Sequence, residues 1–249
     1  MTEKGTPTKR CSFFSFFALR QKGYKLPKDI FVQKNTAFVE KKLYFCKTQT
    51  TSNMTVNEAI NILENNLGIA NTECVVEALL DDELLPAMLF EAMKNTANSK
   101  TKFRLAWSLE RLAKLDIGKC ESFFADILAA IPTLEHDGQT RCLLKIIVIY
   151  LDRSAKSKRP VFAQNYLDTY DWDDIIGRLF EHLLADETPN GVKVLAAYIL
   201  AHLSVRYCWI ADDLKFHMQH RLDSPSMIAA NKKTVRIITQ NRIKILNTK

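Results

Sequence analysis

Glycine and proline are scarce: the chain has seven of each in 249 residues. Strand-rich folds turn every ~8–12 residues and use these two residue types to do it. Their scarcity argues against β-sandwiches and β-barrels. The six cysteines are Cys11, Cys46, Cys74, Cys120, Cys142 and Cys208, and no two form a CxxC pair. This excludes a zinc knuckle and favours reduced thiols, with Cys142 and Cys208 read as small hydrophobes inside apolar helical runs. No apolar run approaches the ~20 residues of a membrane span. There is no GxSxG, Walker A, GxGxxG or HExxH pattern, so no familiar catalytic, nucleotide or metalloprotease signature is present. No catalytic residue and no cofactor are assigned.

What is present is unevenly distributed. Residues 1–53 hold 11 Lys+Arg against 3 Asp+Glu, a net of +8. Residues 54–249 hold 24 against 25, a net of −1. The overall charge of +7 therefore belongs to the first segment. That segment is basic, aromatic and without helical periodicity. It is expected to be a disordered extension (1–53), with Met54 as a candidate natural start. Its "CSFFSFFALR" has too short an apolar core, ending at Arg20, for a secretory signal. A cytoplasmic protein is expected. Because the body is nearly neutral, nucleic acid is a possible but not a favoured partner.

From Met54 onward the pattern is helical. Thr55 and Glu58 have capping-box spacing. Helices are expected at 55–66, 72–80, 83–96, 101–115, 119–131, 138–152, 172–185, 190–206, 209–222 and 227–246. In "KFRLAWSLERLAKLD" (102–116), Leu105, Ala106, Leu109, Leu112 and Ala113 share one face. Arg104, Glu110, Arg111 and Lys114 fall largely off it, and Trp107 flanks it.

Similar helices recur. "TRCLLKIIVIYLD" (140–152) and "VKVLAAYILAHLS" (192–204) each open on a cation before a dense apolar run, and "KKTVRIITQNRIKIL" is a fainter echo. The successive intervals from Arg104 to Arg141, from Arg141 to Lys193 and from Lys193 to Lys233 are 37, 52 and 40 residues. The long one contains an insertion, "RSAKSKRPVFAQNYLDTYD". Alternating helices with a period near 40 mark a helical array in which no hairpin buries its apolar face alone. On "RLAWSLERL" and "IPTLEHDGQTRCLLKI", residues ~80–246 resemble the HEAT and armadillo-like repeats. The resemblance implies an all-α fold over 54–249: a solenoid of helical hairpins wound as a right-handed superhelix.

Candidate sites are few. Asp213, His217 and His220 lie at i, i+4, i+7 on one helix face, a spacing that suits a metal ion; a solvated face is the competing reading. Arg104, Arg141 and Lys193 open successive helices and suggest an aligned row. The row is either structural, pairing with carboxylates on adjacent units, or partner-binding. Asp171 is expected to cap a helix that has Asp173 and Asp174 in its first turn. "RSAKSKRP" reads as a solvated basic loop, and His182 and His202 as packed residues.

The solenoid resemblance implies a non-enzymatic interaction or scaffold module for a protein or peptide partner, with no membrane role and an exposed apolar or aromatic patch. One alternative is DNA binding, resembling the HEAT-like alkylpurine glycosylases. A second rests on "SPSMIAANKK" (224–233), which is faintly similar to the mobile loop of the adenylosuccinate lyase and fumarase superfamily.

Overall fold

A computed structural model describes residues 54–65, 69–157, 159–220 and 224–247. The extension expected over 1–53 lies outside them. The described residues are all-α, with no strand. The helices are α1 (Val56–Asn65), α2 (Ile69–Asp81), α3 (Leu85–Asn95), α4 (Ser99–Leu115), α5 (Phe124–Ala130), α6 (Asp137–Lys156), α7 (Tyr166–Thr169), α8 (Asp173–Leu184), α9 (Asn190–Leu203), α10 (Ile210–Gln219) and α11 (Pro225–Asn247). Two 3-10 helices, Ile117–Phe123 and Ile131–Thr133, flank α5.

Local chemistry sets the boundaries. Glu58 accepts hydrogen bonds from the Thr55 N–H (2.8 Å) and hydroxyl (2.9 Å), while the Glu58 N–H donates back to Thr55 Oγ1 (3.3 Å). This is the capping box read from the sequence. Asp82 accepts from the Leu84 and Leu85 N–H groups and, with Pro86 in the first turn, starts α3. Asn98 caps α4 by accepting from the Lys100 and Thr101 N–H groups. At α8 the Asp171 side chain accepts from the Asp173 N–H (3.1 Å), with Asp173 and Asp174 in the first turn.

The apolar faces follow the heptad-like spacing closely. Leu105, Ala106, Leu109, Leu112 and Ala113 of α4 are all fully buried. Each helix of one series packs on the next: α2 on α4, α4 on α6, α6 on α9, and α9 on α11. The intervening elements lie against them. α3 and the Ile117–Phe123 helix pack on α4, α8 on α9, and α10 on both α9 and α11. The buried apolar residues form one continuous cluster running from Ala59 to Ile237.

Three elements differ from the sequence reading. The helix expected over 119–131 is broken into 3-10, α and 3-10 segments. Asp116 accepts from the Gly118 N–H and starts a 3-10 turn. Phe123 then leaves helical geometry (φ −123, ψ 12), and Pro132, which has no N–H, sits in the closing 3-10 turn. α6 runs to Lys156, so the first half of the basic "RSAKSKRP" is helix rather than loop. The insertion holds a one-turn helix, α7, and is packed down by aromatic side chains. Phe124, Tyr150, Phe162 and Tyr166 meet with ring centroids 4.6–6.3 Å apart. The fully buried Trp172 donates its indole N–H to Tyr166 O (2.9 Å).

Several side-chain links join residues nearly 40 positions apart. Thr101 bonds Glu64 (37 residues apart), Arg111 bonds Glu73 (38), Lys119 bonds Glu83 (36) and Ser99 meets His136 (37). Four arginines make a more specific set. Arg104 donates to Leu63 O (2.6 Å) and Glu64 O (3.2 Å), and Arg153 to Lys114 O (3.1 Å). Arg178 donates to Leu134 O (2.9 Å), and Arg206 to Tyr170 O (2.6 Å) and Leu167 O (3.2 Å). Every acceptor lies at the C-terminal end of a helical segment, where carbonyls lack intrahelical partners and the dipole favours a cation.

Candidate functional site

The polar side chains that matter most converge on α6. Its stripe Arg141, Lys145 and Asp152 is flanked on one side by α4 and on the other by α9 and α11. Glu110 of α4 is 2% exposed, yet the sequence pattern places it off the buried face. Two cations hold it there: Lys114 Nζ (2.5 Å) and Arg141 (3.1 Å). A buried carboxylate is tolerated when it is paired in this way. At the other end of the stripe, His202 of α9 donates from Nε2 to Asp152 Oδ1 (3.0 Å). Lys233 of α11 reaches Asp152 Oδ2 (3.5 Å), with its ammonium 4.0 Å from the centre of the Tyr198 ring. The hydrogen bond from His202 holds the Asp152 carboxyl down at about 2, with Lys233 assisting against the opposing effect of burial.

Lys145 sits between these two knots. It is half-buried, and no hydrogen bond or ion pair reaches its ammonium among the described residues. Burial lowers its pKa, and the like charges of Lys233 and Lys114 lower it further. Beside it, burial pushes the Cys142 thiol up to about 12, with Glu110 adding to the effect. Cys120 is likewise pushed up to about 12 by burial. Neither thiol is poised as a nucleophile.

A second feature is apolar. A groove of about 880 Å³ opens between the start of α1, α3 and the Ile117–Phe123 helix. Leu84 (72% exposed) and Met88 (54% exposed) stand at it, with Val56, Ala87 and Phe123 also lining it. Among the described residues its ionisable lining is Asp82, Glu91 and Asp126, with no Lys or Arg.

The residues singled out from sequence take other roles. Arg104 turns back to the carbonyls of α1, and Lys193, 5% exposed, donates to Asp186 O (3.3 Å). Among the described residues, Arg141 alone of the three pairs with a carboxylate, Glu110 of α4. The row is therefore not one set of equivalent contacts, because an uncapped carbonyl lies within reach of two of the cations. Asp213 and His220 are exposed, and His220 Nδ1 donates to Phe216 O (2.8 Å). His217 is half-buried between the rings of Phe180 and Phe216. These three form no shared centre, and among the described residues no cluster of His, Cys, Asp or Glu could hold a metal ion. Cys208 is exposed in the turn before α10, not inside an apolar run. His182 and His202 are buried, as expected. Lys145, Asp152 and Glu110 escaped the sequence reading. Charges at 141, 145 and 152, all on one stripe of an otherwise apolar helix, were the available signal.

No helix among the described residues is long and apolar enough to cross a membrane. The chain matches no protein-family model, no curated protein and no solved structure.

Proposed function

We propose that the chain is a non-enzymatic interaction or scaffold module, a HEAT/armadillo-like solenoid whose partner is a peptide segment of another protein. The observation that carries this reading is the groove at α1 and α3. Leu84 and Met88 leave large apolar surface in water at one place, a common mark of a docking site. Its rim chemistry selects the occupant. With Asp82, Glu91 and Asp126 in the lining and no cation among the described residues there, the groove suits an apolar segment flanked by Lys or Arg. The links 36–44 residues long and the succession α2, α4, α6, α9, α11 support the repeat architecture. Free Cys120, Cys142 and Cys208 support a cytoplasmic setting.

The alternatives have less support. Residues 54–249 are close to neutral, which disfavours a nucleic-acid groove. Residues 225–233 are the first turns of α11 with Met227 and Ala230 buried, which disfavours a mobile catalytic loop there.

The test is calorimetric titration with a Leu-rich peptide of about 12 residues, three helical turns, flanked either by Lys or by Glu. The Lys-flanked peptide is expected to bind, and the Leu84→Asp, Met88→Asp double variant to weaken it at least about tenfold. Equal binding of the two peptides, or full binding by the variant, would overturn the reading.

A further inference from the structure

We propose that Lys145, with Lys114, Arg141 and Lys233 around it, is a docking site for an acidic peptide segment, and that Lys145 takes a carboxylate from the partner. The site shares no residue with the α1–α3 groove and stands without it.

The argument begins with an imbalance. Four cations on this face meet two carboxylates. Glu110 is shared between Lys114 and Arg141, and Asp152 between Lys233 and His202. Both carboxylates are fully engaged. Lys145 is left half-buried between them, within the field of two other ammonium groups as well as of Glu110 and Asp152, and with no ion pair of its own among the described residues. An amphipathic lysine with free space extends its ammonium to water. Lys145 is half-buried, in a place where an incoming anion gains attraction from several cations at once.

The neighbours define the anion. Glu110 and Asp152 are fixed on either side of Lys145 along the same face. A continuous polyphosphate backbone laid across it meets the part-exposed Asp152 carboxylate and is repelled. A carboxylate on a flexible side chain enters beside Asp152 and pairs with Lys145. Tyr198, under Lys233, adds an aromatic wall beside the site. An acidic peptide fits this alternation better than a nucleic acid does.

The experiment is fluorescence anisotropy on the full chain with a labelled Glu-rich peptide, its Gln-rich counterpart and a single-stranded oligonucleotide. Residues 1–53 carry a net charge of +8 and attract any anion. The readout is therefore the difference between the parent protein and Lys145→Met, with Lys215→Gln, an exposed lysine on α10, as the control. Lys145→Met is expected to weaken the Glu-rich peptide about five- to tenfold, and Lys215→Gln to leave it unchanged. The melting temperature of Lys145→Met is expected to equal or exceed the parent's, because the substitution removes a poorly solvated, like-charge-crowded ammonium. The proposal fails if Lys145→Met binds the Glu-rich peptide as the parent does. It also fails if Lys145→Met weakens the oligonucleotide more than the peptide, which would make the partner a nucleic acid. The groove variant Leu84→Asp, Met88→Asp is expected to bind the Glu-rich peptide normally, so the two sites stand or fall separately.

Discussion

Asp152 and His182 both weaken the fold as pH falls, but in separate windows. Asp152 is an acid held below its ordinary value, at about 2, chiefly by the hydrogen bond from His202. Its contribution to stability is complete above the ordinary carboxylate range and is lost as pH falls through 2. Its side chain is 30% exposed, so screening trims the effect. We predict that Asp152→Asn costs about 1–2 kcal/mol at neutral pH, read by chemical denaturation, and that the gap from the parent narrows below about pH 4. His182 responds in the same direction at higher pH. Among the described residues its buried Nε2 has no partner, and burial, then Arg178, lowers its pKa. A base with a lowered folded value binds its proton more readily when unfolded, so acidification destabilises the fold. Between about pH 7.5 and about pH 5.5 the melting temperature of the parent is expected to fall more steeply than that of His182→Leu. Parallel slopes would show that His182 does not titrate in this way. Asp152 is silent in that window, which separates the two residues.

At the scale of the helix, the ends matter more than the middles. Arg104 supplies two hydrogen bonds to the last turn of α1. Removing them leaves carbonyls without a charged donor, at a cost of about 1–2 kcal/mol. Arg104→Ala is expected to speed amide exchange in α1 selectively while α10 keeps its protection. Uniform change, or none, would argue against a local seal. The helix middles were legible in advance. The five apolar positions of α4 are all buried, and the capping box at Thr55 forms as spaced, because periodicity and caps are local properties. The ends were less legible. Arg104 and Lys193 bond to carbonyls, which every residue carries, so no side-chain pattern announces the acceptor. The burial of Glu110 depends on Arg141, 31 residues away. The four-residue α7 is too short to show a period, and the break at Phe123 follows from one aspartate and one proline rather than from hydrophobic spacing.

Across the molecule, several side-chain links join residues 36–38 apart, close to the spacing of about 40 read from the sequence. The candidate site was harder to foresee than this frame. The sequence marked cations at helix starts, but the face with unbalanced charge lies a turn further along α6, and its flanking groups come from α4, α9 and α11. Such a gathering follows from packing order, which a linear reading does not contain. The arginine set carries one more consequence. Arg104, Arg153, Arg178 and Arg206 each lie downstream of the carbonyls they seal. A chain leaving the ribosome N-terminus first exposes each of these four helix ends before its seal has been synthesised, so none of the four can be closed until the segment downstream has emerged.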